Sequence, residues 1–265
     1  MNSRLSLLAS LALGLGLPQV TVAQSWMPGF VSAELVGSWR TDRGTQMTAL
    51  RVRLEDGWKT YWRAPGDAGI PPDWNWRGSA NAAEITIHWP TPQVFESGGL
   101  RTIGYAHEMI LPIEVVPADP TQDVWLAAEI SFGICREICV PVLVNVQNLL
   151  QGPGEATPDI IAAIAALPEI RTGIAHCEIE PVLDGMRVTA KIEMPRLGPR
   201  EIALFELAGV SSWVSESVNS REGDVLTSMV EIVPYDSRSF DLERRDLLIT
   251  VLGGSRAVEI SGCPI

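Results

Sequence analysis

The chain has 265 residues and a net charge of −12, from 20 Lys and Arg against 32 Asp and Glu. This length fits one large or two small domains. A hydrophobic fraction of 46% and a charged fraction of 20% predict a packed core and exclude wholesale disorder. Because the chain is acidic, it lacks the cationic field that nucleic acid or an anionic membrane surface requires, so we expect neither as a partner.

Residues 1–23 have the layout of a secretory signal peptide. Arg4 precedes an apolar run from Leu5 to Leu17, and the small residues Thr21 and Ala23 follow. This pattern predicts export and cleavage after Ala23, with an uncleaved anchor as the alternative. The apolar run is short for a membrane span, and no later segment is longer, so we expect no membrane insertion of the mature chain. Export would place the cysteines where disulfides persist.

Residues 24–151 are predicted to form an antiparallel β-sandwich. Short runs with a period of two residues alternate with turn formers such as Asp56-Gly57 and Asp119-Pro120. The predicted strands contain Ala33–Leu35, Met47–Leu54, Glu84–Trp89, Leu111–Val115 and Val124–Ile130.

Residues 152–171 are predicted to form a linker with one short helix. Thr157 is the expected N-cap and Pro158 the first helical residue, while Pro168 ends the helix. The apolar residues at helical spacing, expected to form one face, are Ile160, Ile161, Ile164 and Leu167.

Residues 172–265 are predicted to form a second, smaller β-sandwich. Strand-like runs resume after Ile174 and are separated by turns at Asp184-Gly185 and Glu222-Gly223. Neither half shows the long helices that parallel βαβ units need. The predicted fold class is therefore all-β, with two sandwich domains.

Two of the four cysteines, Cys177 and Cys263, are far apart in sequence. A bond between them would join the start and end of the second domain, and loop closure would stabilise the fold by about 4–5 kcal/mol. We predict a structural disulfide. Two free thiols or a second redox pair are the alternatives.

The other two cysteines, Cys135 and Cys139, are separated by three residues. A bond between them would stabilise the fold by only about 2 kcal/mol, which favours a redox switch over a staple. Arg136 would favour a thiolate and Glu137 would oppose it. A structural hairpin disulfide and a Cu(I) site remain alternatives, since two thiolates suit a soft ion.

Other common sites have no signature in the sequence. The three histidines, His88, His107 and His176, are not at metal-ligand spacing, so we expect no zinc site. No phosphate-binding loop, dinucleotide fingerprint or nucleophile elbow occurs, and we expect no cofactor.

Two stretches resemble the N-terminal domain of DsbD-type thiol:disulfide interchange proteins, especially the ScsB-like branch. They are the segment from Asp56 to Pro71 and the cysteine motif from Cys135 to Pro141. Ile103–Tyr105 and Leu111–Ile113 also match the family pattern, so the resemblance covers roughly residues 30 to 150. The end of the chain, Ser261 to Pro264, is similar to the partner β-domain of that branch.

The resemblance implies immunoglobulin-like sandwiches and assigns roles to particular residues. Cys135 and Cys139 would be the redox pair, with Cys139 forming the mixed disulfide. Tyr61 would pack beside the pair, and the segment from Glu96 to Tyr105 would shield it as a cap. Ordinary core packing is the alternative for Tyr61 and Tyr105. The three-residue spacing departs from the better-known DsbD branch and indicates the ScsB-like one.

The resemblance also implies a stand-alone periplasmic thiol–disulfide carrier, in effect a protein-disulfide reductase domain. Its expected partners are periplasmic thioredoxin-like proteins or a membrane electron donor, because the membrane conduit and thioredoxin-like domain of full-length relatives do not occur in these 265 residues. The alternatives are a non-enzymatic two-domain binding module and a copper-related thiol protein that acts in copper tolerance.

Overall fold

The computed structural model describes residues 27–66, 69–97, 99–208, 212–235 and 242–263. The predicted signal peptide, 1–23, lies outside these residues. Within them, no helix is long and apolar enough to cross a membrane. The described chain is all-β with one short helix, and its immunoglobulin-like sandwiches confirm the predicted fold class.

The first eleven strands build what we call the N-terminal sandwich. Its two sheets have the orders β11-β1-β2-β8-β5 and β10-β9-β3-β7-β6, and β4 adds to β9. The strands are β1 (Phe30–Arg40), β2 (Gln46–Leu54), β3 (Lys59–Gly66), β4 (Asp73–Asn75), β5 (Ala82–Ile87), β6 (Gln93–Ser97), β7 (Leu100–Ala106), β8 (Glu108–Pro117), β9 (Val124–Cys135), β10 (Cys139–Leu150) and β11 (Gly154–Glu155).

The remaining strands build what we call the C-terminal sandwich. Its sheets have the orders β12-β20-β19-β15 and β13-β14-β18-β16, with β17 on β18. The strands are β12 (Glu169–Arg171), β13 (Ala175–Val182), β14 (Gly185–Glu193), β15 (Glu201–Leu207), β16 (Ser212–Val214), β17 (Val218–Glu222), β18 (Val225–Pro234), β19 (Leu247–Gly253) and β20 (Arg256–Ser261). A 3₁₀ turn, Arg244–Asp246, precedes β19.

The core of the N-terminal sandwich follows from the period of its strands. In β9, Leu126, Ile130 and Phe132 are buried, while the alternate residues Glu129 and Ser131 are exposed. Successive side chains of a strand point to opposite faces, so this alternation turns one face of β9 inward. The apolar face then packs against the facing sheet, and the polar face stays in solvent.

The helix α1 (Pro158–Ala165) follows Thr157 and begins at a proline, as predicted. The Thr157 side chain makes no capping hydrogen bond, and the helix ends three residues before Pro168. The predicted apolar face is wrong in part: Ile160 is fully buried, whereas Ile161 and Ile164 are exposed.

The reason lies in how this short helix docks. Its buried residues are Ile160 and Ala163, which form a narrow stripe, and α1 packs against β8. The side chains of Arg51 and Asp159 form an ion pair that holds the helix to β2. The helix therefore contacts the sandwich through about one residue per turn, and the other isoleucines are exposed to solvent.

The ends of the predicted linker take part in sheets. Strand β11 pairs with β1 through Gly154 and Glu155, and β12 pairs with β20 in the one parallel pairing among the described strands. This segment thus contacts both sandwiches. The domain boundaries at residues 151 and 172 remain predictions.

Candidate functional site

The candidate site lies at the turn between β9 and β10, where Cys135 and Cys139 are directly opposite each other. Their sulfurs form a disulfide, and their Cα atoms are 4.2 Å apart. Cys135 ends the inward-packed strand and is 7% exposed, whereas Cys139 is exposed. Of the two bonded residues, Cys139 is therefore the more accessible to solvent.

Strand β3 supports this hairpin through two residues. Lys59 pairs with Cys135, and Thr60 pairs with Ile134. The Thr60 hydroxyl is fully buried and donates a hydrogen bond of 2.9 Å to the carbonyl of Gly133. This buried bond fixes the position of β3 relative to the hairpin, because breaking it would leave a buried polar group unpaired.

Tyr61, the next residue of β3, contacts the disulfide. Its hydroxyl oxygen lies 3.3 Å from the Sγ atom of Cys139, and its side chain is 1% exposed. Burial raises the pKa of Tyr61, so the hydroxyl keeps its proton. A disulfide sulfur carries no hydrogen, so the hydroxyl is the donor. The same donor would stabilise a Cys139 thiolate.

Gly133 brings two more side chains to the site. A Cβ atom at this position would lie 2.8 Å from Cβ of Ile70 and 3.1 Å from the Tyr61 ring. The ring of Tyr61 therefore crosses Gly133, and Ile70, 40% exposed, packs beside it. Only glycine allows this close approach of side chains to β9.

Ile70 and Gly133 are functional candidates that sequence reasoning did not select. Ile70 belongs to the segment that carries the family resemblance, and Gly133 precedes Cys135 by two residues. A glycine inside an apolar strand is a signal of close packing, and it could have pointed to Gly133.

The hairpin tip carries the residues predicted to tune the thiolate. Arg136, Glu137 and Ile138 are all exposed. The guanidinium carbon of Arg136 lies 5.7 Å from the centre of the Trp58 ring, a cation–π arrangement. Both charges thus sit in solvent next to the pair, where their fields are weak.

Tyr105 lies in the core of the N-terminal sandwich. Its hydroxyl donates a 2.8 Å hydrogen bond to the carbonyl of Pro90, and its side chain is 9% exposed. The predicted cap segment around it forms the hairpin of β6 and β7, with Gly98 at its tip outside the described residues. Among the described contacts, Tyr61 touches Cys139 and Ile70 packs on Gly133, whereas the side chain of Tyr105 is engaged in core packing.

The second disulfide has a different setting. Cys177 on β13 and Cys263 after β20 are bonded, 86 positions apart in sequence, and are 2% and 1% exposed. The Arg244 side chain donates a hydrogen bond to the Cys177 carbonyl, and the Arg244 carbonyl accepts one from the Cys263 amide. This bond is sealed inside the C-terminal sandwich.

The described residues contain no group of three or more His, Cys, Asp or Glu placed to hold a metal ion. The Cu(I) alternative needs only the two sulfurs of the hairpin and stays a hypothesis.

The part of the chain that carries the hairpin is similar to known proteins. Residues 29–151 match the family model described as "Thiol:disulfide interchange protein DsbD, N-terminal". This part of the chain is therefore similar to a DsbD N-terminal domain. The match confirms the family resemblance and supports thiol–disulfide interchange as the general activity of this domain.

A solved structure extends the similarity of fold to the C-terminal sandwich. The N-terminal periplasmic domain of ScsB from Proteus mirabilis matches with a TM-score of 0.64 and 21% identity, over 88% of this chain and 91% of that one. At this identity, the likeness concerns the fold. No curated protein matches the sequence.

Proposed function

We propose that this protein passes reducing equivalents between periplasmic proteins by thiol–disulfide exchange at Cys135 and Cys139. The proposal is supported by the asymmetry of the pair: Cys139 is exposed and its sulfur contacts the Tyr61 hydroxyl, whereas Cys135 is buried. Exchange needs one accessible sulfur and one resolving sulfur within reach, and the hairpin supplies both.

In the proposed reaction, the reduced pair attacks through the Cys139 thiolate. It displaces one sulfur of a partner disulfide, so a mixed disulfide forms and the first partner thiolate leaves. Cys135 loses its proton and attacks the Cys139 sulfur, which releases the second partner thiolate. Two electrons have moved to the partner, whose thiolates take up the protons, and the Cys135–Cys139 bond has formed again.

An external dithiol must then reduce the bond before the next cycle. We expect a membrane electron donor or a thioredoxin-like protein to supply it, and thioredoxin-like proteins also to be the acceptors. The periplasmic location rests on the predicted signal peptide and on the periplasmic relative of similar fold. The C-terminal disulfide takes no part in the cycle, because both of its sulfurs are buried.

Two single-cysteine variants test the assignment of the two sulfurs. Cys135→Ser leaves the exposed thiol of Cys139, and Cys139→Ser leaves the buried thiol of Cys135. We expect Cys135→Ser to form a mixed disulfide with glutathione disulfide on the order of tenfold faster at neutral pH, because exposure and a hydrogen-bonded thiolate both favour reaction. Stopped samples analysed by intact mass would give both rates.

Three results would contradict the proposal: equal rates, a faster reaction of Cys139→Ser, or no reaction of either variant. The last would favour the two-domain binding module, in which the hairpin bond is structural. The buried Cys177–Cys263 bond should stay intact throughout and serves as the internal control.

A further inference from the structure

The two sandwiches share an apolar interface. The sheet β12-β20-β19-β15 turns one face toward its own core and the other toward the N-terminal sandwich. On the second face, Leu252 and Ala257 belong to the core cluster of the N-terminal sandwich, and Ile202 and Leu204 pack against it. Around Leu252 and Ala257, strands β19 and β20 are therefore buried on both faces.

One cation and two carboxylates meet in this interface. The Nε atom of Arg63 donates to both carboxylate oxygens of Glu206, at 3.0 and 3.1 Å. Its Nη2 atom donates to Glu259 at 2.5 Å. Arg63 comes from β3 of the N-terminal sandwich, and the glutamates come from β15 and β20 of the C-terminal sandwich.

The surroundings make this ion triad rigid. The three side chains are only 18–23% exposed, so water screens their charges weakly. The guanidinium carbon of Arg63 also lies 4.2 Å from the centre of the Trp62 ring, which is fully buried. Arginine has a planar fork of donors, so contacts on several of its nitrogens fix its orientation as well as its position.

The triad lies close along the chain to the candidate site. Arg63 is two residues after Tyr61 in the same strand, and Trp62 joins them. Strand β3 leaves its regular register with β7 between Tyr61 and Gly66, so its backbone pairing does not hold this stretch. The side-chain contacts of Arg63 with Glu206, Glu259 and Trp62 lie within this interrupted part of the ladder.

We propose that Arg63, held by Glu206 and Glu259, is a positioning residue that keeps Tyr61 against Cys139, so that the C-terminal sandwich controls the reactivity of the hairpin disulfide. The inference rests on the proposed exchange function and gives the second sandwich a part in it. A shift of β3 would move the Tyr61 hydroxyl away from the Cys139 sulfur. It would also disturb the packing of Tyr61 and Ile70 on Gly133.

A double variant in the C-terminal sandwich tests the inference without touching the N-terminal one. Glu206→Gln with Glu259→Gln removes both carboxylate charges from Arg63. We expect the rate constant for reduction of Cys135–Cys139 by dithiothreitol to rise roughly three- to tenfold, the size of effect seen between residues coupled in one network. Alkylation with a mass tag followed by peptide analysis would report each disulfide separately.

A matched control variant loses the same two negative charges at positions that do not contact Arg63. Glu178→Gln with Glu231→Gln removes two carboxylates that pair with Lys191 and Arg187 on the other sheet of the C-terminal sandwich. This control should leave the rate unchanged. The variant Arg63→Lys, which keeps the charge and loses the fork, should give an intermediate rate.

If the ion triad only stabilised the fold, the double variant would be less stable and both disulfides would become easier to reduce. We therefore expect Cys177–Cys263 to stay oxidised while Cys135–Cys139 is reduced faster. If the double variant fails to fold, Glu259→Gln alone keeps the two contacts of Glu206 and should give a smaller increase. An unchanged rate in a folded variant would overturn the inference and leave the proposed function standing. A wild-type hairpin bond that resists dithiothreitol in the folded protein would contradict the proposed function, and the inference with it.

Discussion

The two disulfides of this protein use the same chemistry in opposite settings. Cys135–Cys139 closes a hairpin at a sheet end, with one residue exposed and a tyrosine hydroxyl on its sulfur. Cys177–Cys263 spans 86 positions and has both residues buried. Loop length and access together distinguish the bond that we propose is exchanged from the bond that we expect to stabilise the fold.

The largest expected difference between the two bonds is in stability. Replacing Cys177 and Cys263 with alanine should lower the free energy of unfolding by about 4–5 kcal/mol, and replacing Cys135 and Cys139 by only about 2 kcal/mol, because the longer loop restrains more of the unfolded chain. Urea titrations of both double variants would measure the two losses. Equal losses would contradict the distinction between a structural Cys177–Cys263 bond and a redox-active Cys135–Cys139 bond.

The next effect concerns the packing on Gly133. Gly133→Ala would place a Cβ atom 2.8 Å from Ile70 and 3.1 Å from the Tyr61 ring. We expect a loss of about 1–3 kcal/mol from overpacking, and faster reduction of the hairpin bond alone. Ser131→Ala, on the same strand and exposed, is the control. A variant that loses stability while both bonds react as before would show that this packing does not protect the pair.

A smaller effect should follow from the Tyr61 hydroxyl. In a Cys135→Ser background, Tyr61→Phe should raise the thiol pKa of Cys139 by about one unit, because a hydrogen bond to a charged group contributes about 1.5 kcal/mol. The pH dependence of alkylation gives this pKa. Tyr105→Phe is the matched control, because the Tyr105 hydroxyl donates to the Pro90 carbonyl. This substitution should leave the pKa of Cys139 unchanged. The same shift in both variants would argue against a direct contact.

The smallest expected effects come from the two charges at the hairpin tip. In the same background, Arg136→Gln should raise the thiol pKa of Cys139 and Glu137→Gln should lower it, each by a few tenths of a unit. Both shifts should shrink in 1 M salt, where screening acts over about 3 Å. Shifts that persist in high salt would mean that these side chains act through structure.

Much of the fold could be predicted from the sequence. The period of two in segments such as Val124–Ile130 and the turn signals between them indicate short antiparallel strands, and Thr157-Pro158 marks the start of the helix. These signals are local. The contacts that decide which isoleucine of α1 is buried are not local, because they depend on how the helix docks on β8.

The candidate site divides in the same way. The close spacing of Cys135 and Cys139 draws attention to the pair, and the family resemblance adds Tyr61. The partners of Arg63 lie 143 and 196 positions away, so no local pattern connects them to it. Ile70 lies between β3 and β4 in the chain, and its contact with Gly133 on β9 joins residues 63 positions apart.

The reduction potentials of the two disulfides, measured together, would show whether the hairpin bond is an exchange site. The folded protein would be equilibrated in glutathione and dithiothreitol buffers, trapped with a mass tag and analysed as peptides. We expect a reduction potential of about −120 to −270 mV for Cys135–Cys139 and a potential below about −300 mV for Cys177–Cys263, which would stay oxidised in these buffers. Potentials below about −300 mV for both bonds would contradict this expectation and make the hairpin bond a second structural staple.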